Sequence, residues 1–262
     1  MTQHNEVVRE SFTTQAKLFA ENPWVKDEER IRRLVAAARL KGDERVLDVA
    51  CGPGYIAEAF AREAREAIGV DLTQAMVEIA EERTKSRGVS NVSFRLGDVQ
   101  QLPIGDREFD VVVCRLALHH MPEPARVVRE MARVCQVEGL VLVEDIYGSE
   151  HPERNAYQDH WEKLRDPSHV HTLPMSKLLQ LFRDTGLETD QVLTFQDLCP
   201  EVERWLETTK TPAEDAAEVL RLLREDLRRD LSGTRPFQDA TGRLHFHART
   251  VILAGRKFRA LP

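Results

Sequence analysis

Three acids each stand at or beside the end of a short apolar run: Asp48 in Val46-Leu47-Asp48-Val49, Asp71 in Ile68-Gly69-Val70-Asp71, and Asp98 in Leu96-Gly97-Asp98-Val99. A pair of imidazoles, His119-His120, closes a fourth run that begins Phe109-Asp110-Val111-Val112-Val113-Cys114-Arg115. Carboxylates at strand ends accept hydrogen bonds from hydroxyls and amines, and an imidazole exchanges protons near neutral pH. Behind the first acid lies Ala50-Cys51-Gly52-Pro53-Gly54, where Gly52 and Gly54 let the backbone turn sharply and approach a ligand. A strand, a glycine turn and a helix from Tyr55 onward would present free N–H groups at the carboxyl edge of a sheet, where α/β folds bind ligands.

The spacing Gly52-x-Gly54-x-x-Ala57 also satisfies the fingerprint of nicotinamide- and flavin-binding domains. Asp48 argues for another ligand, because an acid at that strand end repels a pyrophosphate and attracts a cationic amine. Pro53 removes one N–H that a dinucleotide would use. An amino-acid-bearing nucleoside fits both features, and S-adenosylmethionine (SAM) is such a molecule. Asp71 can accept two charge-assisted hydrogen bonds from a cis-diol, or serve only as a cap beside Thr73. Asp98 can accept from an exocyclic amine while the backbone of Val99 donates to a ring nitrogen, or be a turn residue after Gly97. Asp48 can equally order the glycine loop through backbone N–H groups.

Together the four blocks, between Val46 and Ile146, resemble the class I SAM-dependent methyltransferases, specifically the UbiE-like branch named for ubiquinone and menaquinone methylation. The resemblance implies an α/β fold: a Rossmann-like doubly wound seven-stranded sheet, mostly parallel with an antiparallel edge strand, plus helical cap insertions. It implies SAM as cofactor and S-adenosylhomocysteine as product, with Asp71 on the ribose, Asp98 and Val99 on the adenine, and Asp48, Ala50, Gly52, Gly54, Leu72 and Arg115 completing the cofactor site. Phe12-Thr13-Thr14-Gln15-Ala16-Lys17-Leu18-Phe19 is similar to the segment that folds over the cofactor in that branch, with Phe19 in its aromatic position. His119, in the loop facing the methyl donor, is the candidate catalytic base. His120, Tyr147, Arg165 and His169 are the candidate acceptor-side residues, the last two in Leu164-Arg165-Asp166-Pro167-Ser168-His169-Val170, which resembles a segment of uncharacterised bacterial UbiE-like proteins. The Asn-Pro-Pro-Tyr mark of amide and base-nitrogen methylation is replaced by Cys114-Arg115-Leu116-Ala117. Methyl transfer to carbon or oxygen of a small, quinone-like or aromatic acceptor is therefore expected. A SAM-binding regulator without transfer and a nicotinamide-dependent oxidoreductase are the competing readings.

The elements that must position these residues alternate along the chain. Helices are expected over Val7 to Phe19 and Glu28 to Leu40, then Tyr55 to Glu66, Thr73 to Arg87, Ala125 to Cys135 and Met175 to Thr185. Strands are expected at Val46 to Val49, Ala67 to Asp71, Val92 to Leu96, Phe109 to Cys114, Gly139 to Ile146, Leu187 to Phe195 and Leu244 to Ala254. One domain over residues 1–262 is expected, with cap elements at 1–40, 147–174 and 196–243. Within the last, Thr211-Pro212-Ala213-Glu214 predicts a capping box, with Ala216, Leu220, Leu223 and Leu227 as the helix's apolar stripe and its arginines on a solvated face.

Composition bounds the partners. A net charge of -7 over 262 residues argues against a protein that tracks nucleic-acid phosphates. Cys51, Cys114, Cys135 and Cys199 are widely spaced and read as reduced thiols. His245-x-His247 lacks the further ligands a metal needs, so no metal is expected. The N-terminus is polar and acidic, and no apolar run reaches spanning length, so a cytoplasmic protein without a membrane partner is expected.

Overall fold

The computed structural model describes residues 3–199 and 201–258. Positions 1, 2, 200 and 259–262 of the expected domain and cap spans lie outside the described residues.

Two helices, α1 (Gln3–Glu21) and α2 (Glu28–Ala38), precede the first strand. Strands β1 (Arg45–Val49), β2 (Glu66–Asp71), β3 (Val92–Leu96), β4 (Phe109–Arg115) and β5 (Cys135–Ile146) alternate with α3 (Tyr55–Ala61), α4 (Gln74–Ser86) and α5 (Pro124–Val134). There follow α6 (Pro152–Arg165), α7 (Met175–Asp184), β6 (Leu187–Leu198), α8 (Val202–Thr208), α9 (Ala213–Arg229), a two-residue pair β7 (Phe237–Gln238) and β8 (Leu244–His245), and β9 (His247–Lys257). The main sheet has seven strands in the order β3-β2-β1-β4-β5-β9-β6. The β1, β2, β3, β4 and β5 pairings are parallel, and β9 runs antiparallel to β5 and to β6, one place in from the edge.

Period-two alternation splits the strands between two cores. Leu47, Val49, Val112, Cys114, Val141 and Val143 pack with Val127, Val128, Met131 and Phe182 of α5 and α7. Val46, Val111, Val113, Leu140 and Leu142 pack on the other face with Leu34, Ile56 and Phe60 of α2 and α3. Buried on both faces, such strands read as near-continuous apolar runs. A third core, Trp161, Val202, Leu206, Val219, Leu223 and Phe246, lies inside the cap formed by α6, α8 and α9.

Several expectations are corrected. The helix from Tyr55 stops at Ala61 because Arg65 donates to the Glu44 carbonyl (3.0 Å) and draws the chain into β2. The single strand expected over Leu244 to Ala254 breaks at Phe246, whose ring leaves the sheet to pack 5.3 Å from Trp161 and 5.2 Å from Trp205. No capping box forms at Thr211: its hydroxyl donates to the Arg165 carbonyl (2.8 Å), and Pro212 precedes α9 without a side-chain cap. The buried stripe of α9 centres on Val219, Leu222 and Leu223, with Ala216, Leu220 and Leu227 at its margin. Its arginine face is solvated, as expected, with Arg221 and Arg229 paired to Glu218 and Glu225. Among the described residues no helix is long and apolar enough to cross a membrane.

Candidate active site

The carboxyl ends of β1, β2 and β3 and the inner face of α1 enclose a cleft of about 950 Å3, open solvent at its mouth included. Its wall contains Phe19, Asp48, Ala50, Gly52, Asp71, Leu72, Asp98, Val99, Arg115 and His120 of the expected site. The acids are held chiefly by nearby backbone. Asp48 accepts from the Ala57 N–H (2.9 Å), fixing the first turn of α3. Asp71 accepts from the N–H groups of Gly52 (2.8 Å) and Thr73 (2.9 Å). Asp98 accepts from the Gln100 N–H (2.9 Å) and from the Asn5 amide (2.8 Å), which ties α1 to the end of β3. Burial pushes the Asp48 carboxyl up to about 7 against the Ala57 hydrogen bond, with the Asp71 charge adding to the rise. Burial likewise raises Asp71, opposed by the N–H groups of Thr73 and Gly52.

Gly54 stands apart from this wall. Its φ is +75°, and a Cβ there would lie 2.8 Å from Ala80 and Phe94, so this glycine lets α3 pack against α4 and β3. Arg115, at the end of β4, donates through Nε to Glu144 (3.0 Å) and through Nη1 to the Val25 carbonyl (2.8 Å). Its Nη2 is buried without a partner among the described residues. Arg30 of α2 donates to the other oxygen of Glu144 (3.0 Å), so one carboxylate orients two buried guanidiniums.

A second hollow, about 680 Å3 with its opening, shares Phe19, Val25, Leu116 and His120 with the first. His119, Arg165, Gln158, Glu162, Trp24 and Trp205 line it. His119 Nδ1 donates to Asp145 Oδ1 (2.5 Å), which fixes the tautomer that leaves Nε2 free to accept a proton. Burial favours its neutral ring, but the charge and hydrogen bond of Asp145 outweigh that and raise its pKa above the ordinary value. His120, whose ring centroid is 4.1 Å from that of His119, is held well below the ordinary value by burial and by its neighbour. Arg165 is paired with Glu162 (3.0 Å), and its guanidinium lies 3.7 Å over the Trp205 ring. Gln15 Oε1, Trp24 Nε1 and Gln158 Oε1, all on residues lining this hollow, are buried without partners among the described residues.

Two expected acceptor-side residues line neither hollow. Tyr147 turns away beneath Arg249, 5.4 Å from ring to guanidinium, because alternation after Ile146 directs it to the opposite face. His169 Nε2 donates to Asp159 Oδ1 (3.0 Å), which pins the loop after α6 behind the His119 ring. Neither Asp145 nor, apart from Arg165, the inward face of α6 is among the residues expected from the sequence. Their signals are present: an acidic pair, Glu144-Asp145, interrupts an otherwise apolar strand, and Asn155, Gln158, Asp159, Glu162 and Arg165 repeat at helical spacing.

An open sheet with one inverted strand, and a cleft where acids follow consecutive parallel strands, defines a Rossmann-like methyltransferase fold. A family model described as a methyltransferase domain matches residues 40–208, and the chain belongs to that family. The YcgJ protein of Bacillus subtilis, an uncharacterized methyltransferase, is 32% identical over 209 residues, 80% of this chain and 82% of that protein. Its crystal structure covers 88% of this chain and 99% of its own at a TM-score of 0.82 and 30% identity. A crystal structure from Bacillus halodurans gives the same TM-score, 0.82, at 28% identity over 88% of this chain and 100% of that one. The ubiquinone biosynthesis O-methyltransferase of Coxiella burnetii is 27% identical over 117 residues, 45% of this chain and 49% of that protein. The chain is thus a SAM-dependent methyltransferase.

Proposed function

We propose that this protein moves a methyl group from SAM to carbon or oxygen of a small-molecule acceptor seated in the second hollow. The observation that carries the reading is the shared wall of Phe19, Val25, Leu116 and His120, which sets a cofactor cleft directly against a chamber of different chemistry. The cleft's donor set suits an amino-acid-bearing nucleoside. The unpartnered Arg115 Nη2 would take its carboxylate, Asp48 its cationic end, Asp71 its ribose hydroxyls and Asp98 with Val99 its adenine. When bound, the cofactor supplies a methyl group on a sulfonium, an electrophile that needs an aligned acceptor and little else.

The chain's own residues then supply alignment, water exclusion and a proton acceptor. Trp24, Trp205 and Phe246 offer ring faces to an aromatic acceptor, and Gln15, Gln158 and Trp24 offer polar atoms that orient its substituents. An acceptor hydroxyl or acidic carbon would give its proton to His119 Nε2, with Asp145 stabilising the imidazolium. A quinone-like acceptor is supported by these rings and by the name of the Coxiella burnetii relative. Four buried free thiols support a cytoplasmic location, and the acidic charge supports a partner other than nucleic acid. Incubation of the protein and methyl-labelled SAM with a metabolite extract tests the reading. Label entering a small molecule is the expected result, while a protein that titrates NADH but not SAM would overturn it.

A further inference from the structure

A third concavity, of about 460 Å3, lies on the outer side of the cap, where Arg154 of α6, Asp230, Gly233 and Arg235 of the loop after α9, and His247 and Arg249 of β9 converge. Three guanidiniums meet one carboxylate there, in a chain whose net charge is -7. Among the described residues Asp230 pairs only with Arg154 (3.2 Å). Arg235 and Arg249 form no side-chain hydrogen bond or ion pair among the described residues, and Arg249 Nη2 is buried. Burial lowers the pKa of Arg249, and the neighbouring charges of Arg154 and Arg235 lower it further, against Tyr147 and Asp230. An anion in that space would relieve the mutual repulsion of these guanidiniums, most of all at the partly buried Arg249.

The loop that presents these groups is rigidly built. The Ser232 N–H donates to Asp226 (2.9 Å), Ser232 and Thr234 are buried with their hydroxyls 2.6 Å apart, and His247 donates its N–H to the Thr234 carbonyl (3.1 Å). A Cβ on Gly233 would lie 3.4 Å from Arg154 Nη1 and 3.9 Å from Arg249, so two guanidiniums flank the bare backbone. Planar guanidinium forks match the oxygens of a phosphate group.

We propose that this concavity binds a small phosphate-bearing anion, at a site separate from both hollows of the methyltransferase centre. Asp230 Oδ1, buried and without a partner among the described residues, accepts a hydroxyl of the ligand and favours a phosphate ester that carries one over the bare ion. The site shares elements with the acceptor chamber. Phe246 and Ala248 of the β8–β9 segment line the chamber while His247 and Arg249 line this site, and α6 contributes Arg154 here and Gln158, Glu162 and Arg165 there. An anion bridging α6, the loop and β9 therefore steadies the cap.

Calorimetric titration of the full chain with inorganic phosphate and with glycerol 3-phosphate, against chloride at matched ionic strength, tests the proposal. Saturable binding is expected, tighter for the ester, and equal affinity for the two would remove Asp230 from the site. Arg249→Gln and Arg235→Gln should each weaken it at least about tenfold, the scale of a lost charge-assisted hydrogen bond, with SAM affinity unchanged. Arg235 is exposed, so its variant keeps the test valid should Arg249→Gln misfold. Heat no greater than with chloride, or saturable binding indifferent to Arg235→Gln, would overturn the site.

Discussion

The two hollows that share Phe19 and His120 are built by different means. In the cofactor cleft, Asp48, Asp71 and Asp98 each accept from a backbone N–H within nine residues or across one strand, at Ala57, at Thr73 and Gly52, and at Gln100. In the proposed acceptor chamber and behind it, the histidines pair side chain to side chain between separate segments: His119 with Asp145, His120 with Ser168, His169 with Asp159. Backbone donors are placed by the strand-turn-helix itself. Side-chain pairs need segments distant in sequence to come together. The first region is accordingly set mainly by local folding, and the second by how several elements pack together.

The largest expected effect separates the two regions directly. His119→Ala removes the proposed proton acceptor but touches none of the acids of the cleft. Turnover should fall by roughly 10²–10⁴-fold while SAM affinity stays nearly constant. Because Asp145 raises the His119 pKa, the neutral ring a base needs is lost at a pH above the ordinary histidine value. The rate of the parent should therefore climb through that raised pKa as pH increases, and the climb should be absent in the variant. Steady-state kinetics with the acceptor found by labelled-methyl screening reads both, and a rate within a few-fold of the parent would reduce His119 to a loop residue.

Asp71→Ala makes the converse cut. Loss of charge-assisted bonds to the ribose should cost about 1.5–3 kcal/mol of SAM binding, or roughly 10–150-fold. Acceptor recognition should be untouched once SAM saturates. Calorimetry on a variant shown to be folded checks this, and unaltered affinity would remove Asp71 from the cofactor site and weaken the division drawn between the hollows.

The same division explains what the sequence discloses. Four motif blocks, each an apolar strand followed by its acid or imidazoles, suffice to place β1 to β4, and the apolar run of Gly139 to Val143, with Ile146 beyond its acidic pair, places β5. Helix α6 escapes a search for apolar periodicity because its inward stripe is Asn155, Gln158, Asp159, Glu162 and Arg165, polar residues that are buried only because the cap covers them. Tyr147 fails as an acceptor residue for a related reason: a tyrosine beside the site in sequence faces away once alternation along the strand is obeyed. The break at Phe246 has no local cause at all, since it depends on the tryptophan pair of two other helices.

A smaller effect concerns the cap alone. Folding holds the His120 pKa well below its unfolded value near 6.5, through burial and the proximity of His119. The unfolded or undocked state therefore takes up a proton that the closed state refuses. The His120 contribution to closure is complete above pH 6.5 and is lost as pH falls below it; the raised pKa of His119 acts in the opposite sense, so the net slope stays below the about 1.4 kcal/mol, or tenfold in opening, per pH unit of a lone group. Hydrogen exchange corrected for intrinsic rates should show α6 and residues 166–172 losing protection between pH 7 and 5.5 before β1 and β4 do. Simultaneous loss in cap and sheet would mean that the two regions do not open separately.

The smallest expected effect lies in the cofactor cleft and tests whether its acid is an electrostatic partner or only a loop anchor. Asp48 is buried with its carboxyl pushed up to about 7, so near neutrality the empty protein holds it half protonated. A cationic ligand favours the ionised form, and its binding must release that proton. Affinity for SAM then falls as pH drops through the Asp48 pKa, by about tenfold between pH 8 and 6 if the bound carboxylate stays ionised throughout. The uncharged sulfur of S-adenosylhomocysteine gives a shallower dependence. Asp48→Asn keeps an oxygen for the Ala57 N–H but has no proton to release, so its affinity should be lower at pH 8 and flat across the Asp48 titration. Calorimetry in two buffers of different ionisation enthalpy measures the proton directly. Equal slopes for SAM in parent and Asp48→Asn would leave Asp48 as an anchor of the glycine loop, and the cleft would hold its cation by other means.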